Sequence, residues 1–504
     1  LDETCLFHFS RIKFIFHVIG SCWEVPTWMV FTSPTYLAQP KFNTKNSPTD
    51  LLIVHWNRIV SEQNQVQPIG SNHLMSLSSC KRAVCLSLGI ALLSLCGCGG
   101  NSASPAVLTV AFQSNAALDG SNNTNAAGNI WISKSDGSGL LPLTRLTTAG
   151  ADSLEPIWSP DGKKIAFVSA RALDGSDAAI AANNIWVMNA DGSGAAPITR
   201  LTTSGITDWQ LTWSHDGQKL AFASSAALDG SDALNANSAF NIWVMNADGT
   251  GRTPVTGLTV PEPDSSWTSQ EPIWSPDSTK MVFLSNGALD GTDALNPNRV
   301  FNLWAAKADG SGVVPLTRLS SNGVWQSYPA WSPDGARIAF MAQRALDGSD
   351  AGSPTNAENL WTINADGSSA TPLTRFTASG FMFYPVWSPD GSKIAFGADL
   401  ALDGSDALNT NGAANVWTIN ANGTGAFPVT RLTTTGINFV LPLTWSPDGK
   451  RIGFTSQRAV DGGDAANPSG QTNVWVLNAD GSGAMPLTRL TSGSAGSALP
   501  AWHP

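Results

Sequence analysis

Two tryptophans recur through this chain at a shared period, and no fold that lacks internal repetition accommodates them. The first series is Trp158, Trp213, Trp274, Trp331, Trp387, Trp445 and Trp502, at intervals of 55 to 61 residues. The second is Trp131, Trp186, Trp243, Trp304, Trp361, Trp417 and Trp475. Around them one unit repeats: Glu155-Pro-Ile-Trp-Ser-Pro-Asp-Gly-Lys-Lys-Ile-Ala-Phe-Val-Ser169, then Asn184-Ile-Trp-Val-Met-Asn-Ala-Asp-Gly192, then Leu201-Thr-Thr203. Self-similarity at such a period is the signature of stacked supersecondary units, each burying its faces only against its neighbours.

The unit reads as four short strands. Trp-Ser-Pro-Asp-Gly ends the first strand in a tight turn, with Pro presetting one dihedral and Gly accepting the strained one. Lys164–Ser169 is apolar and β-prone. A longer loop leads to the Asn-Ile-Trp strand, and an Ala-Asp-Gly-Ser turn leads to a fourth strand at Thr199–Thr203. The expected fold is all-β: a seven-bladed β-propeller of four-stranded blades. The repeat starts mid-unit, with Leu108-Thr-Val-Ala-Phe-Gln-Ser114 in the place of a second strand, and ends on Leu499-Pro-Ala-Trp-His-Pro504. The C-terminal strand is therefore expected to complete the first blade and close the ring without an open edge.

Ahead of the repeat, residues 1–74 carry no detectable unit and read as upstream, non-structural sequence. From Met75 a short basic segment with Lys81 and Arg82 precedes an apolar run from Ala83 to Leu95, too short to span a bilayer as a mature helix. Leu95-Cys96-Gly97-Cys98 resembles the bacterial lipoprotein signal. That resemblance implies a signal peptide over 75–97, lipidation of Cys98, a tether over 98–106, and the propeller over 107–504. All six cysteines fall at or before Cys98, so the repeats need no thiol chemistry.

The chain carries 38 acidic against 28 basic residues, a net charge of −10, which argues against nucleic acid as a partner. Aligned, the Trp-Ser-Pro-Asp-Gly and Ile-Trp-Val-Met-Asn-Ala-Asp-Gly motifs resemble the WD-like propeller repeats of TolB and of prolyl-oligopeptidase-type peptidases. The resemblance covers residues 107–504 and implies the fold. It departs in function-bearing parts: TolB has an α/β domain before a propeller of usually six blades, and the peptidases carry a hydrolase domain.

No catalytic constellation stands out. Only His215 and His503 lie in the repeats, no Gly-x-Ser-x-Gly elbow occurs, and Glu155, Glu262, Glu271 and Glu358 are scattered. The polar pattern that does repeat is the loop between second and third strands: Asp119, Asp174/Asp177, Asp229/Asp232, Asp290/Asp293, Asp347/Asp350, Asp403/Asp406 and Asp461/Asp464. Each loop ends in Asn before the third strand, at Asn129, Asn184, Asn241, Asn302, Asn359, Asn415 and Asn473. These residues fit two roles: Asx turns that rigidify the loop, or oxygen ligands for calcium. The links between blades share a face with these loops and bring Trp209, Trp267, Trp325, Phe381, Met382, Phe383 and Tyr384 to it.

That face is the expected recognition surface. The functional expectation is a non-catalytic lipoprotein of the bacterial outer membrane, held by its lipid anchor, whose propeller binds an envelope protein or a glycan. The alternative is a secreted propeller enzyme, such as a polysaccharide lyase or glycoside hydrolase.

Overall fold

The computed structural model divides into two compact units, Leu1–Ala106 and Val107–Pro504. It describes residues 106–504 except 122, 260–267, 435–438 and 492–495, with the backbone alone at 410 and 439–441. Of residues 1–105 it describes only strand backbone, Glu3–Phe9 paired with Ile12–Val18 and Leu51–Ile53 with Leu74–Ser76. Apart from Met75 and Ser76, the lipoprotein-type segment lies outside the described residues, as does Cys98.

The repeats form seven four-stranded antiparallel sheets. Within each, the strand ending in Trp of the first series lies at one edge and a two-residue strand at the other. We number the blades from the composite one. The Trp-terminated strands are Ser497–Trp502 in blade 1, Ser153–Trp158 in blade 2, Asp208–Trp213 in blade 3 and Ser269–Trp274 in blade 4. Gln326–Trp331, Met382–Trp387 and Phe439–Trp445 follow in blades 5 to 7. Each touches its counterpart in the next blade, and Ser497–Trp502 touches Ser153–Trp158, so the seven line a central channel. The first blade is closed by the C-terminal strand: Ser497 pairs with Ser114 and Trp502 with Val110. Trp502, Phe112 and Trp131 share a core with Val474 and Val476 of blade 7.

The first tryptophan series has a polar task as well as a packing one. The indole Nε1–H of Trp158 donates to Ala501 O (3.1 Å), that of Trp387 to Ala330 O (3.1 Å) and that of Trp445 to Val386 O (3.1 Å). Each bond runs from one inner strand to the carbonyl of the preceding blade's; Trp331 and Trp502 repeat it at 3.3 Å, whereas the buried indole N–H groups of Trp213 and Trp274 have no acceptor among the described residues. The second series packs within the sheet interface, facing Phe of the second strand, as Trp186 does across from Phe167.

The outer strand differs from expectation. It spans only Ala196–Pro197 in blade 2, not Thr199–Thr203. Pro197 opposite Trp186 has no N–H to extend the ladder. A side chain takes over: the Asn184 amide oxygen accepts from Leu201 N (2.7 Å) and Thr199 Oγ1 (3.1 Å), while Thr199 Oγ1 accepts from Ile185 N (2.8 Å). The seven proline-ended outer strands also blunt the sheet edges against further pairing. At the tight-turn face the approach is close. A Cβ on Gly249, at φ +86°, would lie 2.5 Å from Ile198 O of the preceding blade.

Candidate functional site

The repeated Asp and Asn residues occupy two structural devices. The first Asp of each loop closes an Asx turn, as Asp174 Oδ1 does by accepting from Ser176 N (2.8 Å); Asp119, Asp229, Asp290, Asp347, Asp403 and Asp461 do the same with the residue two positions on. The second Asp reaches out of its own blade. Asp177 of blade 2 accepts from Thr147 N (2.9 Å), Thr147 Oγ1 (2.5 Å) and Thr148 N (3.0 Å) at the exit of blade 1. Asp232, Asp293, Asp350, Asp406 and Asp464 repeat this latch on the link before their own blade. These donors hold the Asp177 carboxyl below the usual range, the Thr147 hydroxyl contributing most.

The seven Asn residues are buried and bridge third strand to link: Asn129 accepts from Thr144 Oγ1 and Leu146 N and donates to Leu146 O. Asn241, Asn302, Asn359, Asn415 and Asn473 make the same contacts. Among the described residues, no group of three or more His, Cys, Asp or Glu side chains is arranged to hold a metal ion.

A different constellation forms at the loop-face mouth of the channel. Every inner strand has a β-bulge near its start, marked by a register shift such as that between Leu154 and Ile157. The third residue of the strand is left-handed: Glu155 (φ 53°), Gln210 (53°), Glu271 (55°), Tyr328 (54°), Tyr384 (44°) and Leu499 (59°). Non-glycine residues avoid this region, so six at one structural position mark a feature that the surrounding fold enforces.

At four of these positions the bulge turns the N–H toward a side chain of the blade before. Gln113 Oε1 accepts from Glu155 N (2.9 Å), Glu155 Oε2 from Gln210 N (2.9 Å), Gln210 Oε1 from Glu271 N (2.8 Å), and Glu271 Oε2 from Tyr328 N (2.7 Å). Gln113 stands in for blade 1, whose own bulge residue, Leu499, has no acceptor. The belt ends in aromatics: the Tyr328 and Tyr384 rings stack at 3.9 Å, and Trp325 meets Tyr328 edge-on at 6.4 Å.

Burial dominates the electrostatics of this belt. It pushes the Glu155 carboxyl up to about 7, partly opposed by the Gln210 amide, and Glu271 likewise to about 7 against the Tyr328 amide. Both residues keep partial solvent exposure, which limits what these shifts are worth in stability. Burial also raises the Tyr328 and Tyr384 phenols, as does the nearby Glu271 carboxylate. Beside the belt, buried Glu358 of blade 5 accepts from Met382 N (2.7 Å), and Asp399 of blade 6 from Phe381 N (2.8 Å).

Of the aromatics expected on the face, Trp325 and Phe381 lie in links and are exposed, at 38% and 58%. Trp209, Phe383 and Tyr384 belong to the inner strands instead, and Phe381 stacks on Phe383 at 6.2 Å. Trp267 lies outside the described residues. Sequence reasoning missed Glu155, Gln210, Glu271 and Tyr328 as a set. The available signal was positional, since each stands three residues before the inner Trp.

No protein-family model matches the chain. A stretch of 209 residues is 26% identical to the uncharacterised peptidase YuxL of Bacillus subtilis, covering 41% of this chain and 29% of that protein. Another of 199 residues is 25% identical to the uncharacterised protein Atu1656 of Agrobacterium fabrum, covering 39% and 57%. The chain thus spans less than two thirds of either relative. Among solved structures, a puromycin-hydrolysing peptidase of Mycobacterium tuberculosis superposes with TM-score 0.50 at 12% identity, over 77% of this chain and 53% of that one. TolB from Acinetobacter baumannii gives TM-score 0.41 at 14% identity, over 79% and 67%. The likeness at these identities is one of fold. Propellers of this kind serve both non-catalytic proteins and enzymes.

Proposed function

We propose that the loop-face mouth of the channel is a carbohydrate-binding site, and that the protein is an envelope glycan receptor anchored at the bacterial outer membrane through lipidated Cys98. One observation carries this reading: five left-handed residues, Glu155, Gln210, Glu271, Tyr328 and Tyr384, set carboxyl, amide and phenol groups side by side at the mouth. Left-handed backbone at non-glycine residues that carry polar side chains is the kind of strain that functional sites retain. Tyrosine and tryptophan faces pack on sugar C–H surfaces while carboxyl and amide oxygens accept from hydroxyls. Calorimetry against a panel of oligosaccharides tests the assignment, with Tyr384→Ala expected to remove binding; silence across the panel refutes it.

A second reading, glycoside hydrolysis, is favoured by one observation, the elevation of Glu155 and Glu271 to about 7. A carboxylic acid protonated near neutral pH is what a glycosidase uses to protonate a leaving group, with a second carboxyl as base or nucleophile. The YuxL likeness, to a protein named as a peptidase, keeps catalysis in view without defining its substrate. New reducing ends from a bound oligosaccharide, abolished by Glu155→Gln with binding retained, support hydrolysis; an unchanged oligosaccharide supports the receptor.

A further inference from the structure

We infer that the Tyr328–Tyr384 stack is a modification site: a small one-electron oxidant joins the two phenols through a carbon–carbon bond, as an intramolecular dityrosine that ties blade 5 covalently to blade 6. No ligand at the mouth is needed for this, so the site stands apart from the carbohydrate reading above.

Scarcity and placement single out the pair. The chain has three tyrosines, Tyr36, Tyr328 and Tyr384, so the propeller holds only the two that meet. They stand at the same place, third in the inner strand, in consecutive blades. Both backbones are left-handed, at φ 54° and 44°. Each is anchored close by: Tyr328 N donates to Glu271 Oε2 (2.7 Å), and Met382 N, two residues before Tyr384, donates to Glu358 Oε2 (2.7 Å). The Tyr328 side chain packs against the core that contains Met382 and Trp387 of blade 6. The two rings are held face to face, with centroids 3.9 Å apart and planes 27° from parallel.

That geometry suits radical coupling. The unpaired electron of a phenoxyl radical occupies π orbitals with density on the carbons that flank the hydroxyl carbon, so a new bond grows along the normal to each ring. Stacked rings present these carbons to each other, which edge-on rings do not. Burial raises both phenols, and each hydroxyl acts on the other's ionisation, which places the two oxygens at one end of the stack and their flanking Cε atoms close together. Holding both partners in contact turns a bimolecular encounter into a unimolecular step.

The coupling balances with two equivalents of oxidant. Each phenol gives one electron to the oxidant and its hydroxyl proton to a base. The two radicals then form a bond between one Cε of each ring, and the hydrogens on those carbons move to the oxygens as the rings regain aromaticity. Neither phenol is ionised near neutrality, so its proton leaves with the electron. Glu271 acts on both phenols, Glu358 on Tyr328 and Glu155 on Tyr384, and these carboxylates are the bases at hand. Both tyrosines are half-buried, which admits a small oxidant and leaves the rings room to turn as the bond becomes biaryl. The product closes the chain between Tyr328 and Tyr384 into a covalent loop, which restrains the unfolded state as a disulfide does.

The test is illumination of the full chain at high dilution with tris(bipyridyl)ruthenium and persulfate, which generate a one-electron oxidant, followed by tryptic mapping of the monomer fraction. Dityrosine fluorescence is expected, together with a peptide pair that joins Tyr328 to Tyr384 with loss of two hydrogen atoms. Tyr328→Phe and Tyr384→Phe should each abolish both signals, and Tyr36→Phe should keep them. Unfolding in urea before illumination should cut the yield at least about tenfold, because contact between the rings is then lost. Absence of the Tyr328–Tyr384 pair, a yield indifferent to unfolding, persistence of the fluorescence in either blade variant, or its loss in Tyr36→Phe overturns the inference.

Discussion

The carboxyl of Glu358 should make the ring less stable as pH rises through neutrality, and replacing it with Gln should remove most of that loss. Glu358 is 4% exposed, and burial, reinforced by nearby Asp399, lifts it from 4.5 to about 7 despite the Met382 amide. Its folded-state value therefore lies above its unfolded one. Below about pH 4.5 the group is protonated in both states and contributes no difference. As pH climbs toward about 7 the unfolded chain ionises first, and the folded state is penalised by an amount that levels off above about 7. A shift of this size corresponds to roughly 3 kcal/mol. Gln at this position keeps an oxygen for the Met382 amide but cannot ionise.

Urea unfolding of both proteins from about pH 5 to pH 8 is the assay. Near pH 5 the two proteins should differ by less than about 1 kcal/mol, whereas at pH 8 Glu358→Gln should be more stable by about 2–3 kcal/mol. Parallel curves for the two proteins would refute the claim that burial governs this carboxyl. A variant equally destabilised at both pH values would show that the Met382 contact needs the carboxylate itself.

Removing residues 497–504 should strip blade 1 of its inner strand and empty the Trp502 site, lowering stability by about 3–5 kcal/mol or more; an unchanged unfolding midpoint would contradict closure through the C-terminus. For the acidic loops we propose latching rather than calcium ligation, because Asp177 already accepts from two amides and a hydroxyl. Titrating metal-stripped protein should give no saturable calcium heat, whereas Asp177→Asn should lower the melting temperature, and calcium heat lost in that variant would reinstate an ion site. If Cys98 carries lipid, labelled fatty acid should enter the protein and Cys98→Ser should abolish labelling, an assignment that persistent incorporation would end. Gly249→Ala should destabilise by more than about 1 kcal/mol through its positive φ and the Ile198 carbonyl behind it, and a wild-type melting temperature would count against that close approach.

Blade number, strand order and closure were legible in the residues alone, because each depends on local patterns repeated seven times. Trp-Ser-Pro-Asp-Gly turns and β-prone runs recur at a period that only a ring of sheets can bury. The seam was readable for the same reason, the unit being split between Leu108–Ser114 and Leu499–Pro504. The Asx turns at Asp174 and its counterparts were equally local, as the acceptor and donor lie two residues apart.

What only the tertiary structure decided is which distant residues meet. Asp177 and Thr147 are 30 positions apart and belong to different blades, so no spacing rule connects them. Glu155 and Glu271 looked scattered, and Gln210 between them drew no notice, because the three sit 55 and 61 residues apart. Packing the blades at one radius turns that separation into adjacency around the channel. The bulge then sets the direction of each amide, and backbone direction is a property of the assembled sheet. The elevation of the Glu155 and Glu271 carboxyls to about 7 follows from the same assembly, since a carboxyl is desolvated only by neighbours that the ring brings around it.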